Sequence, residues 1–497
     1  MLPVLFRRHR SAISSPSKFR TLCSVTKTNS TKNDVDPFAV FIPVAELRDR
    51  QQKLAALVSD SLKSLVDRKA LLIVPAARKS YQADTKIPLL HFKQCSDFIY
   101  MTGLNTVEAA NCVLAILSDG ADEFRSLLFV PFHTENEVLW EGPGLKSHDF
   151  CEKMHSISVS IENVKYFESF VHEECQKRQV FTTTDGLTID DGNGRRRLRP
   201  QSETENMIRK PVSSLSSFID QLRLVKSENE MKAMVRTCAI GSAAMNETRL
   251  FAKQLSKVNS ERHHIPLVNE GQISARFEYE VRVNGAAKLA YPSVVAGGPR
   301  STIIHYGSPN KFMTDEDWLL MDAGCEDIEG YNSDITRCWH VGGSAVSSQA
   351  RLQSALYEAL CEVQHHLIHH LRQKGSDESL SLDHLFQVMC VLLGKVLIEF
   401  CLIPKSSSAA ESARAGYKFC PHHVSHYLGL DVHDTPSISR NISLQPGMCF
   451  TVEPGLYFRD VDDVKKEFKG IGVRVEDDLM ISRAGEVQVL TKDTSWT

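Results

Sequence analysis

The sequence predicts an α/β (α+β) chain: an amino-terminal α/β domain, then a carboxy-terminal domain whose β-rich segments present carboxylates and an imidazole. Three observations lead there. Strand and helix candidates alternate over residues 44–184, a polar stretch at 185–211 interrupts them, and short apolar runs in the last third of the chain end in acidic residues, glycine or histidine.

Residues 1–33 contain no acidic side chain, whereas Arg7, Arg8, Arg10, Lys18, Arg20, Lys27 and Lys32 are basic and serine and threonine are plentiful. That composition matches a mitochondrial transit peptide, whose positive charge responds to an inside-negative potential, so import into the mitochondrial matrix is expected, with a cytosolic form if the leader is absent; a plastid transit peptide has a similar composition, and a disordered basic tail is the alternative. Residues 44–58 then show helical apolar spacing, and 70–75 read as a buried strand. Further strands are expected at 97–101, 126–131 and 179–184. The stretch 185–211, rich in Arg, Gly, Ser and Asn, reads as a linker or insertion.

The chemistry lies further on. Residues 318–324 form an apolar strand ending in Asp322 and a glycine, and 331–337 return with Asp334 after a polar turn that fits a hairpin. A hairpin brings the two aspartates side by side. Paired buried carboxylates resist ionising unless a cation neutralises them, so the pairing favours metal. His426 offers a neutral nitrogen. Glu453 and Glu476 close two more β-rich runs, giving four carboxylates and one imidazole, a set suited to hard divalent ions such as Mn²⁺ and compatible with zinc or cobalt. Two such ions about 3.5 Å apart can hold a hydroxide between them and polarise a carbonyl.

The segments Met321-Asp-Ala-Gly-Cys325, Ser333-Asp-Ile-Thr-Arg337, the run 422–434, 444–448, Val452-Glu-Pro-Gly-Leu-Tyr457 and 472–477 together resemble the aminopeptidase P family of M24 pita-bread metallopeptidases, especially its mitochondrial intermediate-cleaving branch. The likeness covers most of residues 40–495. It implies a creatinase-like α/β amino-terminal domain at 36–205, which walls the cleft and supports assembly into a homodimer or higher homo-oligomer, and a pita-bread catalytic domain at 214–497 opened by the helical segment 219–235. Two divalent ions per subunit, Mn²⁺ first among them, are implied as cofactors. Asp334 and Glu476 would bridge them, Asp322 would chelate one, and His426 and Glu453 would complete the other.

The resemblance further implies that Glu453 is the general base and that His433 and His422 contact the peptide and the developing oxyanion. His305 matches another active-site histidine and Tyr291 a substrate-contacting position, so the substrate-binding set is Tyr291, His433 and the five ligands. Arg474, two residues before Glu476, can share its strand face and orient a carboxylate. The implied reaction removes one amino-terminal residue from a peptide or protein, from Xaa-Pro substrates or imported mitochondrial precursors, through a bridging hydroxide. Two alternatives carry different expectations: a prolidase-like dipeptidase needs a cleft closed beyond the second residue, and a non-catalytic peptide-binding module of the same fold is marked by lost ligands. Two positions depart from the family pattern. The loop between Asp322 and Asp334 is one residue longer, and Ser425 stands where the mitochondrial branch tends to have glycine.

Other signals point to ordinary surface. His365, His366, His369 and His370 make two i,i+4 pairs but lack the zincin glutamate, and read as a solvated helix face. His263 and His264 read as loop, as does the basic run 195–199, which has no interleaved aromatics for nucleic acid. The sequon at Asn246 matters only in a secreted chain. Residues 404–415, rich in serine and alanine, read as a second loop bordering the cleft.

A formal charge of -3, 24% charged and 42% hydrophobic residues give no bias towards nucleic acid or membrane. Thirteen dispersed cysteines without a CxxC pair suggest reduced thiols. The longest apolar stretch, 388–403, carries Lys395 and Glu399 and fits a buried amphipathic helix, so no membrane span is expected.

Overall fold

Leu47, Leu54, Ala55 and Val58 lie on one face of helix α1 (Val44–Ser61) and are buried, which is why the apolar spacing of this segment folds as a helix laid on a sheet. The computed structural model describes residues 41–63, 68–82, 87–88, 92–120, 123–145, 154–183, 212–263, 267–343, 346–374, 380–461 and 464–496, with the backbone of 188–190 and 196–198. The expected leader at 1–33 lies outside the described residues. So does most of 185–211, although residues 196–198 of the basic run pair antiparallel with 188–190 rather than forming a plain loop.

Strands β1 (Ala70–Pro75), β2 (Val113–Ser118), β3 (Phe124–Val130), β4 (Val159–Asn163), β5 (Gln179–Thr182) and β6 (Ser213–Ser214) form one mixed sheet in the order β4-β3-β2-β1-β5-β6. The strands expected at 126–131 and 179–184 are present as β3 and β5. The one expected at 97–101 is not: Ser96–Thr102 is a helix, α2, closed by Gly103 at φ +69°. Phe98, Ile99, Tyr100 and Met101 are buried consecutively, so no period distinguishes helix from strand, and the left-handed glycine cap is the signal that decides it.

Helices α3 (Ser216–Leu224) and α4 (Glu228–His263) open the carboxy-terminal part, and α4 runs to His263, the first of the two histidines read as loop. After α5 (Glu270–Val283), strands β7 (Val294–Gly297), β8 (Trp318–Ala323) and β9 (Ile335–His340) make an antiparallel sheet with β8 central. Three helices follow, α6 (Ser348–Lys374), α7 (Leu382–Glu399) and α8 (Ala409–Phe419).

Helix α8 corrects the reading of 404–415 as loop. Ser408 and Glu411 form a reciprocal capping box, with the Ser408 N–H donating to the Glu411 carboxylate at 2.8 Å. Gly416 then lets α8 approach α7 closely, since a Cβ there would stand 2.4 Å from the Cys390 carbonyl oxygen. The serine- and alanine-rich composition suggested a loop, but alanine is the best helix former and serine a good cap. Helix α7 itself buries Leu385, Met389, Leu393 and Leu397 and exposes Lys395, as its pattern predicted. Among the described residues no helix is long and apolar enough to cross a membrane.

Strands β10 (Cys449–Val452), β11 (Gly455–Phe458), β12 (Ile471–Arg474), β13 (Asp477–Ile481) and β14 (Val487–Val489) complete the chain. β10 pairs with β13, β13 with β14, and β11 with β12. One apolar cluster runs from α1 and the first sheet through Tyr331, Leu428 and Leu430 to Cys449 and Met480, so the two halves share a core beneath the segments that carry the candidate ligands.

Candidate metal centre

The ends of a hairpin, a strand end, a strand corner and a loop converge. In the β8–β9 hairpin Asp322 faces Thr336 across the ladder, and Asp334 sits at the mouth of β9. An isolated bridge pairs Thr336 with Glu476, which brings the β12–β13 corner onto the same hairpin. Glu453 ends β10, and its N–H donates to the Val424 carbonyl at 2.8 Å, tying it to the segment that presents His426.

The candidate side chains lie close to one another. The Tyr291 hydroxyl lies against Asp322 Oδ1 at 2.5 Å and also against Asp334 Oδ1. His426 Nε2 stands 3.5 Å from Asp334 Oδ2, 3.6 Å from Glu453 Oε1 and 3.9 Å from Glu476 Oε1. Its other nitrogen, Nδ1, faces the Tyr427 carbonyl at 3.2 Å, which leaves the Nε2 lone pair pointing at the carboxylates. Ligand atoms of Asp334, His426 and Glu476 all lie within 4.8 Å of one another.

The protein's own donors do not satisfy this cluster. Thr336 donates to Glu476 Oε2 at 2.7 Å, but Glu476 Oε1 is buried without a hydrogen-bond partner. Burial and then the Asp334 charge hold the Glu476 carboxyl well above its usual range, and burial and then Asp322 do the same to Asp334. Burial also pushes Glu453 up to about 7, against the pull of His426 and Arg474. Converging carboxylates that cannot all ionise unaided, one lone oxygen and one imidazole lone pair fit a divalent cation.

Around the cluster, Arg474 donates from Nη2 to Asp322 Oδ2 at 2.5 Å, from Nε to Thr336 Oγ1 at 3.0 Å and from Nη1 to the Tyr457 hydroxyl at 2.8 Å. The Tyr457 hydroxyl meets His422 Nε2 at 2.9 Å, and His422 Nδ1 lies 2.9 Å from the His423 carbonyl and 3.6 Å from Glu453 Oε2. The ring of His433 packs on that of His426 at 4.2 Å between centroids. Burial first, then Arg474 for His422 and His426 for His433, lowers both histidines to about 4 and keeps them neutral. His305 is exposed. Ser425 is buried with an unpartnered hydroxyl.

Tyr457 and Thr336 were visible in the sequence only as motif letters. The pairing of β11 with β12 sets Tyr457 opposite Gly472, near Arg474, and the Thr336–Glu476 bridge does the same for the threonine. Among the other histidines, His365 packs tilted against Trp496 at 4.5 Å between centroids and His370 stacks on His384 at 5.4 Å, and none joins a cluster of three or more candidate ligands among the described residues.

The model of metallopeptidase family M24 matches residues 232–483, the part that contains every side chain just described. The chain belongs to metallopeptidase family M24. The family model for the aminopeptidase P N-terminal domain matches residues 47–181 of the same M24 chain. It is 32% identical to Xaa-Pro aminopeptidase 3 of Mus musculus over 443 residues, covering 87% of this chain and 80% of that protein. It is 29% identical to the mitochondrial intermediate cleaving peptidase 55 of Arabidopsis thaliana over 459 residues, covering 90% of this chain and 80% of the relative. Among solved structures, aminopeptidase PepP of Pseudomonas aeruginosa superposes with a TM-score of 0.72 at 26% identity, over 92% of this chain and 97% of that one. Icp55 of Saccharomyces cerevisiae shares the fold, with a TM-score of 0.69 at 23% identity over 93% and 97% of the two chains. This M24 chain is therefore an Xaa-Pro aminopeptidase-like hydrolase of the divalent-metal class, acting on peptide amino termini.

Proposed function

We propose that this M24 peptidase removes a single amino-terminal residue from peptides with proline second or from imported mitochondrial precursors. Its catalytic domain would span 214–497 and its amino-terminal domain 36–205. Asp322, Asp334, His426, Glu453 and Glu476 would hold two divalent ions, Mn²⁺ foremost, with Asp334 and Glu476 shared between them. When bound, such ions polarise a scissile carbonyl and lower the pKa of a coordinated water.

The observation that carries this reading is the meeting of His426 Nε2 with three carboxylates at 3.5–3.9 Å, beside a Tyr291 hydroxyl that joins Asp322 to Asp334. Glu453, with its carboxyl raised to about 7, is suited to accept the proton of an attacking water near neutral pH. His433, neutral and beside His426, offers an N–H to the developing oxyanion, while His422 and His305 line the peptide. Arg474 orients Asp322. A mitochondrial setting rests on the acidic-free basic leader and on a relative whose name places it there.

Protein reconstituted with Mn²⁺ should be given Xaa-Pro peptides, peptides beginning with Tyr, Phe or Leu, and dipeptides. Release of one residue from longer chains supports the proposal. Turnover of dipeptides alone makes it a prolidase-like dipeptidase, and absence of bound ions and of turnover makes it a binding module. A reporter fused to residues 1–33 should enter mitochondria, and a cytosolic reporter would overturn the location.

A further inference from the structure

The segment that carries His433 is held by charges from outside the metal cluster. Between Gly429 and Asp434 the chain makes a tight loop in which the Gly429 N–H donates to the Asp431 carbonyl at 3.1 Å and the Asp434 N–H to the Tyr427 carbonyl at 2.9 Å. Asp431 and Asp434, which flank His433, both turn to Arg223 on α3: Nη2 donates to Asp431 Oδ2 at 2.7 Å and also to Asp434 Oδ1. The opposite arm of the fork, Nη1, donates to Asp97 Oδ1 on α2 at 2.8 Å. Lys226 donates to the second oxygen of Asp434 at 2.8 Å, and Ser96 donates to Asp431 Oδ1 at 2.8 Å. The side chains of Arg223 and Asp434 are 5% and 1% exposed, so these contacts work in a low dielectric. Lys93 adds a further charge 3.3 Å from Asp431 Oδ1.

Two features show that this loop is constrained beyond what a surface turn needs. Thr435 has φ +48°, a conformation a β-branched residue keeps only where its surroundings over-determine it. Gly429 has no room for a side chain, because a Cβ would stand 2.4 Å from Asp434 Oδ2 and 2.9 Å from Lys226 Nζ. Burial works against the Asp431 charge, yet Arg223 and Lys93 hold its carboxyl down at about 2, whereas burial raises the Asp97 carboxyl to about 6 against the pull of Arg223.

We propose that Arg223 is a positioning residue for His433: by gathering Asp97, Asp431 and Asp434 it ties the substrate histidine to helix α2 of the amino-terminal domain and fixes its ring against His426. The planar fork explains the choice of side chain, since a lysine ammonium cannot serve three carboxylates in fixed directions. The amino-terminal domain thereby does more than wall the cleft: through Ser96 and Asp97 it sets the aim of an active-site group. This rests on the reading of His433 as a substrate contact.

The test is a double-mutant cycle in the metal-loaded full chain. His433→Ala alone should lower kcat/KM by about 10²-fold. Arg223→Met should keep the metal content and lower kcat/KM by up to about 10²-fold, chiefly in kcat, as expected of a displaced catalytic group. Arg223→Lys should recover only part of the loss. The double variant should be no slower than His433→Ala. Should Arg223→Met fold poorly, Asp97→Asn and Asp431→Asn take its place, with smaller losses that also vanish in the His433→Ala background. Full activity of His433→Ala overturns the role of the histidine itself. If that variant is slow but the Arg223 and aspartate losses multiply with it, or are absent, the positioning role is overturned while the histidine's stands.

Discussion

Arg474 Nη2 and Asp322 Oδ2 lie 2.5 Å apart, and this contact ties a candidate metal ligand on the β8–β9 hairpin to the strand that leads into Glu476. The same guanidinium reaches Thr336 and Tyr457, so a single side chain orients the edges of the cluster from three directions. Arg474→Lys, which keeps the charge but loses the fork, should therefore weaken metal affinity or turnover by about 10- to 100-fold. Calorimetric metal titration alongside steady-state kinetics checks this, and wild-type values in both would remove Arg474 from the site.

Glu453→Gln should abolish turnover and leave the fold intact, because it takes away a charged ligand and the proposed base at a position that is not in the apolar core. Circular dichroism and a peptide assay on one preparation decide it. Activity near wild type would sink the mechanism.

Asp334→Asn should lower the metal content as well as the rate. Its oxygens face both Tyr291 and His426, so it stands at the middle of the donor set. Elemental analysis finding two ions per chain with unchanged affinity in this variant would contradict a shared ligand.

Removing the metal should expose the carboxylates' mutual repulsion. Glu453 is raised from 4.5 to about 7 in the folded chain, so the metal-free folded state binds more protons than the unfolded state between those values. Stability of the metal-free protein should accordingly be greatest below about pH 4.5 with respect to this group and fall as pH rises through about 7. Added Mn²⁺ should raise Tm most at the upper end of that window, where the carboxylate is free to bind. Thermal melts at several pH values, with chelator and with Mn²⁺, measure this, and a Tm gain independent of pH would refute it.

Gly416→Leu should destabilise the fold by about 1–3 kcal/mol or more, because α8 sits so close to α7 that any side chain must push the Cys390 carbonyl away. Chemical denaturation reads the change. An unchanged midpoint would mean that the two helices can separate without cost.

Much of this protein was legible in its sequence. Each of the five candidate ligands stands in or beside a short apolar segment, and a carboxylate in such a place is unusual enough to be read without a structure. The β8–β9 hairpin followed from its polar turn, and the buried face of α7 from helical spacing. The helix at 96–102 did not, because complete burial removes the period on which such reading depends. Nor did α8, whose capping box was hidden within a serine- and alanine-rich run. The sequence by itself determined which carboxylates and which imidazole are candidate donors, since that depends on residue type and local context. Only the tertiary structure decided that Tyr457 joins Arg474 to His422, and that Arg223 gathers Asp97, Asp431 and Asp434 about the loop of His433. Those contacts span separations of 17 to 211 residues, and their geometry is set by strand register and helix packing, which no local pattern encodes.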